Sequence, residues 1–64
     1  MKLKELLLIL PENLDISIEH DGRKTSSLVQ GIMSFTNLIE REVIYCEPNY
    51  VHSIGIQSFD VKVK

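Results

Sequence analysis

Cys46 and His52 are the side chains whose types and spacing come nearest to covalent chemistry. A cysteine nucleophile needs a histidine within hydrogen-bond reach and a third group that orients the imidazole. The dipeptide Pro48-Asn49 lies between them and predicts a break in the chain, so the two side chains are not expected to meet. Because an unpaired cysteine most often acts as a small buried hydrophobe, the sequence predicts that role for Cys46. A catalytic Cys-His pair is the alternative interpretation.

The other ionisable groups give equally weak signals of acid–base chemistry. His20 precedes Asp21, and a hydrogen-bonded pair is conceivable there, but the position favours a solvated histidine in a turn. Glu40, Glu42 and Glu47 resemble paired acids. General acid–base catalysis also requires a pocket that shifts a pKa, which a chain of 64 residues rarely encloses. We therefore expect these carboxylates to form a solvated face.

Cofactor-binding motifs are missing from the sequence. The single cysteine cannot form an intrachain disulfide, and no group of Cys and His residues has the spacing of a metal site. Glycine occurs only at positions 22, 31 and 55, so the chain has no glycine-rich phosphate loop. We predict that the protein is not an enzyme and that it uses no cofactor and no metal.

The charge balance argues against direct binding of nucleic acid. Seven basic and nine acidic residues give a formal net charge of −2, whereas binding to a phosphate backbone depends on concentrated Lys and Arg. Acidic side chains that imitate DNA are an alternative, although true mimicry should show a larger acidic excess. The positions available for it are Glu12, Asp15, Glu19, Asp21, Glu40, Glu42, Glu47 and Asp60.

Two hydrophobic periodicities define the first third of the chain. Residues 2–10 follow helical spacing and end before Pro11, and residues 14–20 then alternate as a half-buried strand does. Asp21-Gly22 supplies the residues of a tight hairpin turn. The helix should therefore pack on the strand. The contact is expected to involve Leu3, Leu6, Leu7, Leu10, Leu14, Ile16 and Ile18.

The remaining elements are less regular. A second strand should pair with the first and run into Leu28-Val29, with Gly31 marking a bulge or its end. A short helix is predicted near 36–41, where Asn37 and Glu40 have the spacing of a capping box. Residues 43–64 should form two or three strands, interrupted at Pro48-Asn49 and near Ser58, with the last strand at an edge.

The predicted fold is one α+β domain spanning residues 1–64. It consists of one N-terminal helix packed on a small antiparallel sheet of four or five strands, with the short second helix near 36–41. A chain this short buries only about 60% of its unfolded surface, and Leu8 and Ile9 lie off the core stripe. We therefore predict a homodimer. The longest apolar run, residues 6–10, is too short for a membrane span, so we expect a soluble, cytoplasmic protein with no membrane partner.

The chain carries four motifs in order: Lys-Leu-Lys-Glu-Leu-Leu at the start, Leu-Pro-Glu-Asn-Leu followed by Ile-x-Ile and Asp-Gly, Leu-Ile-Glu-Arg-Glu-Val, and the closing Val-Lys-Val. This order resembles that of a loose group of short proteins encoded by phages and prophages of Gram-positive bacteria. It implies a compact protein that acts inside a host cell by binding and disabling one host protein. The group supplies no functional residues to transfer.

Protein recognition is the function that the sequence favours. We predict an inhibitor or adaptor that acts sterically on a host protein of an antiviral-defence or nucleic-acid-processing system. One alternative is a dimer that binds a signalling nucleotide, with Arg23, Lys24 and Arg41 as anion contacts. A structural or assembly protein of the phage particle is the other. Because Tyr and Arg dominate binding hot spots, the predicted partner contacts are Arg23, Arg41, Tyr45, Tyr50 and His52.

Overall fold

Three short helices and four strands make up the chain, and the computed structural model describes residues 1–64. In chain order the elements are α1 (Leu3–Ile9), β1 (Asp15–His20), β2 (Arg23–Leu28), α2 (Val29–Ile32), α3 (Thr36–Ile39), β3 (Val43–Val51) and β4 (Gly55–Val63). The strands form a single sheet in the order β2-β1-β4-β3. The predicted α+β class is confirmed, with four strands and a short helix at the expected place. None of the helices is long and apolar enough to cross a membrane.

The sheet contains two antiparallel hairpins joined by a parallel pairing. β1 pairs with β2 through a turn at Asp21 and Gly22, whose φ angles of 51° and 76° are those that Asp and Gly tolerate. β3 pairs antiparallel with β4, and β4 pairs parallel with β1. The last strand is therefore an interior strand and not the predicted edge. Its alternation arises because Val61 and Val63 are buried while Lys62 and Lys64 are exposed.

Helix α1 packs on the sheet through the predicted stripe. Leu3, Leu6 and Leu7 are buried, and Leu10 is partly buried against the same core. Ile16 and Ile18 of β1 are also buried, and Leu14 packs beside them. The amide of Lys2 donates to Glu5 Oε1 at 2.7 Å, which satisfies one free amide at the start of the helix.

The segment after β2 is a helical turn and not a continuation of the strand. The amide of Val29 donates to the carbonyl of Leu14 at 2.9 Å, and α2 begins there. Val29 and Ile32 stand three residues apart, so one turn of helix places both in the core. Gly31 lies against Ser27, where a Cβ would collide with the serine hydroxyl. The glycine allows this close approach, which explains its position better than a strand bulge does.

The predicted capping box of α3 is wrong. The residue that precedes the helix is Phe35, and no side chain caps it. The Glu40 carboxylate instead forms ion pairs with Lys2 Nζ at 3.2 Å and Lys4 Nζ at 2.8 Å. The Glu40 carboxylate therefore pairs with two lysines at the start of the chain and does not bond to an amide at the start of α3.

Strand β3 runs through Pro48 and Asn49, where a break was predicted. Proline cannot donate to a sheet ladder, but β3 is an edge strand, and edge strands tolerate proline. The chain reverses at residues 52–54 instead, so His52 lies in a turn and not in the predicted strand. The register of β3 against β4 shifts twice, between Val43 and Tyr45 and between Asn49 and Tyr50.

Candidate protein-recognition site

Cys46 and His52 are not brought together. They lie six residues apart along an extended edge strand and its turn, which at about 3.3 Å per residue separates them by about 20 Å. Cys46 is exposed, and the prediction that it is a buried hydrophobe is wrong. It lies opposite the buried Val61, but on β3, which is the outermost strand of the sheet.

His20 is a structural residue of the first hairpin. Its side chain is only 10% exposed, so the expectation of a solvated histidine is wrong. The Nε2 atom lies 2.8 Å from the Thr25 hydroxyl on the paired strand, and Nδ1 lies 3.5 Å from the Asp21 carboxylate. The imidazole therefore joins the two strands beside their turn.

Arg41 connects three parts of the fold. Its Nε donates to the carbonyl of Asn37 at 3.3 Å, and Nη1 donates to the carbonyl of Lys64 at 3.2 Å. Its Nη2 lies 3.0 Å from the Asp21 carboxylate. The hydrogen bond from Arg41, followed by that from His20, holds the pKa of Asp21 below its ordinary value. The predicted contact Arg41 thus has its guanidinium occupied within the chain.

Tyr45 lies on the open face of the sheet, the face that the helices do not cover. Its hydroxyl donates to the Glu47 carboxylate, and this bond raises the pKa of Tyr45 above its ordinary value. Glu47 lies directly opposite Asp60, which accepts a hydrogen bond from Asn49 Nδ2 at 3.1 Å. A shallow depression of about 230 Å³ lies on this face. Its lining consists of Ser17, Glu19, Lys24, Tyr45, Glu47, Asp60, Val61 and Lys62.

The side chains of the open face are not arranged as the ligands of a metal ion would be. No group of three or more His, Cys, Asp and Glu side chains converges as metal ligands would. Several of its polar groups pair with one another, as in the 2.9 Å contact of the Ser17 and Ser26 hydroxyls and the 3.4 Å ion pair of Lys62 with Glu19. We interpret this face as a solvated polar surface.

The hairpin formed by β3 and β4 projects beyond the rest of the sheet. β1 pairs with β4 only from Ser58 to Lys62, so the residues nearer the turn are paired only within the hairpin. We call residues 49–57 the projecting hairpin. The molecule measures 35 × 21 × 19 Å along its principal axes, which agrees with an element extending from one end.

The projecting hairpin exposes apolar and aromatic side chains. Tyr50 is 63% exposed, Ile54 66% and Ile56 49%, and Tyr50 pairs with Ile56 across the hairpin. The Tyr50 ring contacts the His52 ring edge-to-face, with centroids 5.9 Å apart. Two predicted contact residues, Tyr50 and His52, therefore belong to one exposed cluster.

The segment of sequence that carries this cluster contains no charged residue. One quarter of the chain is charged, yet residues 48–59 contain no Asp, Glu, Lys or Arg. Residues 25–39 are also free of charge, but that segment supplies Val29, Ile32 and Leu38 to the core. None of the residues 48–59 is fully buried. The absence of charge in an exposed hairpin cannot be explained by core packing.

The other predicted contacts lie elsewhere. Arg23 is exposed at the start of β2, at the opposite end of the sheet, and Tyr45 and Arg41 are engaged as described above. Sequence reasoning missed Ile54 and Ile56, because each hydrophobe alone looks like a core residue. The signal available in the sequence was the absence of charged residues from 48 to 59. It indicates an exposed contact surface only once the structure shows that Ile54 and Ile56 face solvent.

The sequence matches no protein-family model, and no curated protein or solved structure is detectably similar to it.

Proposed function

We propose that this protein is a protein-recognition module whose projecting hairpin makes the principal contact with its partner. The observation that supports this most is an exposed hairpin with three large apolar side chains and no charge. The central parts of protein interfaces are depleted of charged residues and enriched in aromatic ones, Tyr among them. Singly exposed hydrophobes need no explanation, but a contiguous exposed group commonly marks an interaction site.

The side chains of the hairpin, and not its free backbone edge, are the expected contact. Pro48 removes one donor from the edge of β3, and the two register shifts distort that edge. Such features hinder the addition of a strand from another chain. The partner should therefore offer an apolar pocket or groove that accepts Tyr50, Ile54 and Ile56.

The biological setting proposed for this contact is that of a phage protein acting inside a bacterial host. By analogy with the resemblance noted above, the partner is a host protein of a defence or nucleic-acid-processing system, and the module inhibits or redirects it by occupancy. The lack of cations near the hairpin supports a protein partner over a nucleic acid, because binding to phosphates depends on Lys and Arg.

A photo-crosslinking experiment tests the proposal. A photoreactive amino acid replaces Ile54 in one version of the protein and Ile44 in another, and each is irradiated in lysate of a Gram-positive bacterium. Both isoleucines are exposed, at 66% and 56%, but Ile44 lies at the far end of β3. We expect one specific crosslinked protein from position 54 and none from position 44.

Affinity for the captured protein provides the decisive measurement. Ile54→Asp should weaken binding by about 2 kcal/mol or more if the residue is a hot spot, whereas Ile44→Asp should leave the dissociation constant unchanged. Equal losses from both variants, or no loss from Ile54→Asp, would contradict the role of the hairpin. Circular dichroism of each variant shows whether the fold is retained.

A further inference from the structure

The outer edge of β2 is the second free edge of the sheet, because the strand order β2-β1-β4-β3 leaves β2 and β3 outermost. β3 carries Pro48 and two register shifts, whereas β2 pairs with β1 residue for residue from Arg23 to Leu28 without any shift. The sequence of β2 contains no proline. This strand therefore keeps the regular backbone that the addition of another strand requires.

Backbone groups of Lys24 and Ser26 point away from the sheet. The amide of Val29, the residue after β2, donates to the carbonyl of Leu14, the residue before β1. Backbone groups alternate in direction along an antiparallel strand, so the N–H and C=O of Lys24 and Ser26 face outward. Both residues are exposed, and neither appears in the backbone hydrogen bonds made outside the helices and strands. Four backbone groups are thus free to bind one extended segment.

Arg23 and Lys24 give this edge a positive charge that no ion pair within the chain neutralises. Glu19 lies directly opposite Lys24, but its carboxylate pairs with Lys62 at 3.4 Å. Asp21, in the turn next to Arg23, is held by the guanidinium contact described above. The nearby acids are therefore occupied, and both cations can pair with an acid from outside the chain.

We propose that the edge of β2 binds an extended, acidic segment of another protein and adds it to the sheet as a fifth strand. An antiparallel segment would exchange two hydrogen bonds with Lys24 and two with Ser26. Two consecutive acidic residues opposite Lys24 and Arg23 would lie on the same faces as these cations and pair with them. This inference is independent of the function proposed for the projecting hairpin, because β2 is at the other edge of the sheet.

A second copy of this chain fits the edge less well. β2 contains no acidic residue, so two paired copies of β2 would leave Arg23 and Lys24 of both copies without an acid in any register. β3 of a second copy offers Glu47, but the adjacent Pro48 lacks a backbone donor. Charged side chains on an edge strand discourage unsuitable pairing. Here they select for an acidic segment.

A titration with two synthetic peptides, followed in backbone amide NMR spectra of the full chain, tests the proposal. The acidic peptide is Val-Thr-Val-Thr-Glu-Glu with both ends blocked, and the control peptide ends in Lys-Lys instead. We expect the acidic peptide to shift the amide resonances of Lys24 and Ser26 most, and to bind at least about threefold more tightly than the control because it gains two exposed ion pairs. Equal binding of the two peptides, or no binding at about 1 mM, overturns the proposal.

Methylation of the peptide backbone tests the pairing without altering the protein. A methyl group on the nitrogen of the third residue removes the donor opposite Ser26, and it should weaken binding about fivefold. The same change at the fourth residue removes a donor that points away from β2, and it should leave the affinity unchanged. Equal effects of the two methylations overturn the antiparallel pairing.

Substitutions at Ser26 provide the matching test on the protein. Ser26→Pro removes the outward N–H at an edge position, where proline is tolerated, and Ser26→Ala keeps it. The proline variant should bind the acidic peptide about fivefold more weakly than the alanine variant. Ile54→Asp should not change peptide binding, which separates this result from the fate of the hairpin proposal. Self-association that is lost in Ser26→Pro would show a second copy at this edge and overturn the proposal.

Discussion

Arg41 Nη2 lies 3.0 Å from the Asp21 carboxylate, and this contact joins the end of α3 to the turn between β1 and β2. The same guanidinium donates to the carbonyl of Lys64, so one side chain ties the first hairpin to the end of β4. An arginine in the middle of the sequence thereby stabilises the parallel junction of the sheet. The guanidinium donates hydrogen bonds as an arginine in a binding hot spot would, but its acceptors are Asp21, Asn37 and Lys64 of the same chain.

Asp21 makes the stability of the fold sensitive to acid. Its pKa is lowered in the folded state, so its contribution is fully present above the ordinary value of 3.8 and is lost as the pH falls through the lower folded value. Asp21→Asn should flatten this part of the stability profile, and asparagine still suits the positive φ of the turn. Urea unfolding midpoints measured from neutral pH to about pH 2 give the profile. Asp15→Asn is the control, because Asp15 forms no ion pair; a wild-type profile in the Asp21 variant would contradict the argument.

Leu7 and Leu8 are adjacent in sequence but opposite in burial, at 3% and 75% exposed. Leu7→Ala leaves a cavity between α1 and the sheet and should cost about 2–5 kcal/mol, enough to unfold most molecules of so small a domain at 37 °C. Leu8→Ala should change the free energy of unfolding by only about 0.5 kcal/mol at low protein concentration. Urea titrations of both variants make the comparison. If Leu7→Ala lowered the free energy of unfolding by less than about 1 kcal/mol, Leu7 would not be a core residue and a different face of α1 would pack on the sheet.

Gly31 and Ser27 should be energetically coupled. Alanine normally stabilises a helix by about 1 kcal/mol relative to glycine, but at Gly31 the new methyl group would displace the Ser27 hydroxyl. Gly31→Ala should therefore be more favourable in a Ser27→Ala background than in the wild type, by about 0.5 kcal/mol or more. A double-mutant cycle from thermal unfolding measures this coupling. Simple additivity of the two changes would show that the hydroxyl rotates away without cost.

The two tyrosines should ionise at different pH values. The hydrogen bond to Glu47 raises the pKa of Tyr45, because ionising the phenol removes the donor and adds a negative charge beside the carboxylate. In a Tyr50→Phe background, which leaves Tyr45 as the only tyrosine, tyrosinate absorbance should appear above the ordinary value of 10.0. Glu47→Gln should lower that midpoint. An unchanged midpoint would mean that the bond does not persist in solution.

Most of the N-terminal half could be predicted from local patterns. The leucine stripe, the alternation of Ile16 and Ile18, and the Asp21-Gly22 turn each report structure within a few residues, so their interpretation needs no tertiary information. α2 was missed because Val29 and Ile32 sit in a short apolar run, and such a run fits a strand as well as a helical turn. Long-range contacts decide between the two, and here the carbonyl of Leu14 receives the amide of Val29.

The second half depended on positions in space that no local pattern encodes. Pro48 indicates a break in a strand unless that strand is known to lie at the edge of the sheet, as β3 does. The alternation around Val61 and Val63 indicates an edge strand unless β1 is known to pair with β4. The candidate site was found in part: Tyr50 and His52 were selected by residue type, whereas Ile54 and Ile56 required knowledge of their exposure. Hydrophobicity alone does not distinguish a core residue from an interface residue.

The parallel pairing of β1 with β4 has a consequence for how the chain folds. Each hairpin closes a short loop and can form early, but joining them requires Ile18 to meet Val61, which is 43 positions further along the sequence. Closing a long loop costs entropy before any contact repays it, so the union of the hairpins should limit the folding rate. Until that step the apolar side chains of both hairpins face water, and a newly made chain is then at its most vulnerable to aggregation and proteolysis.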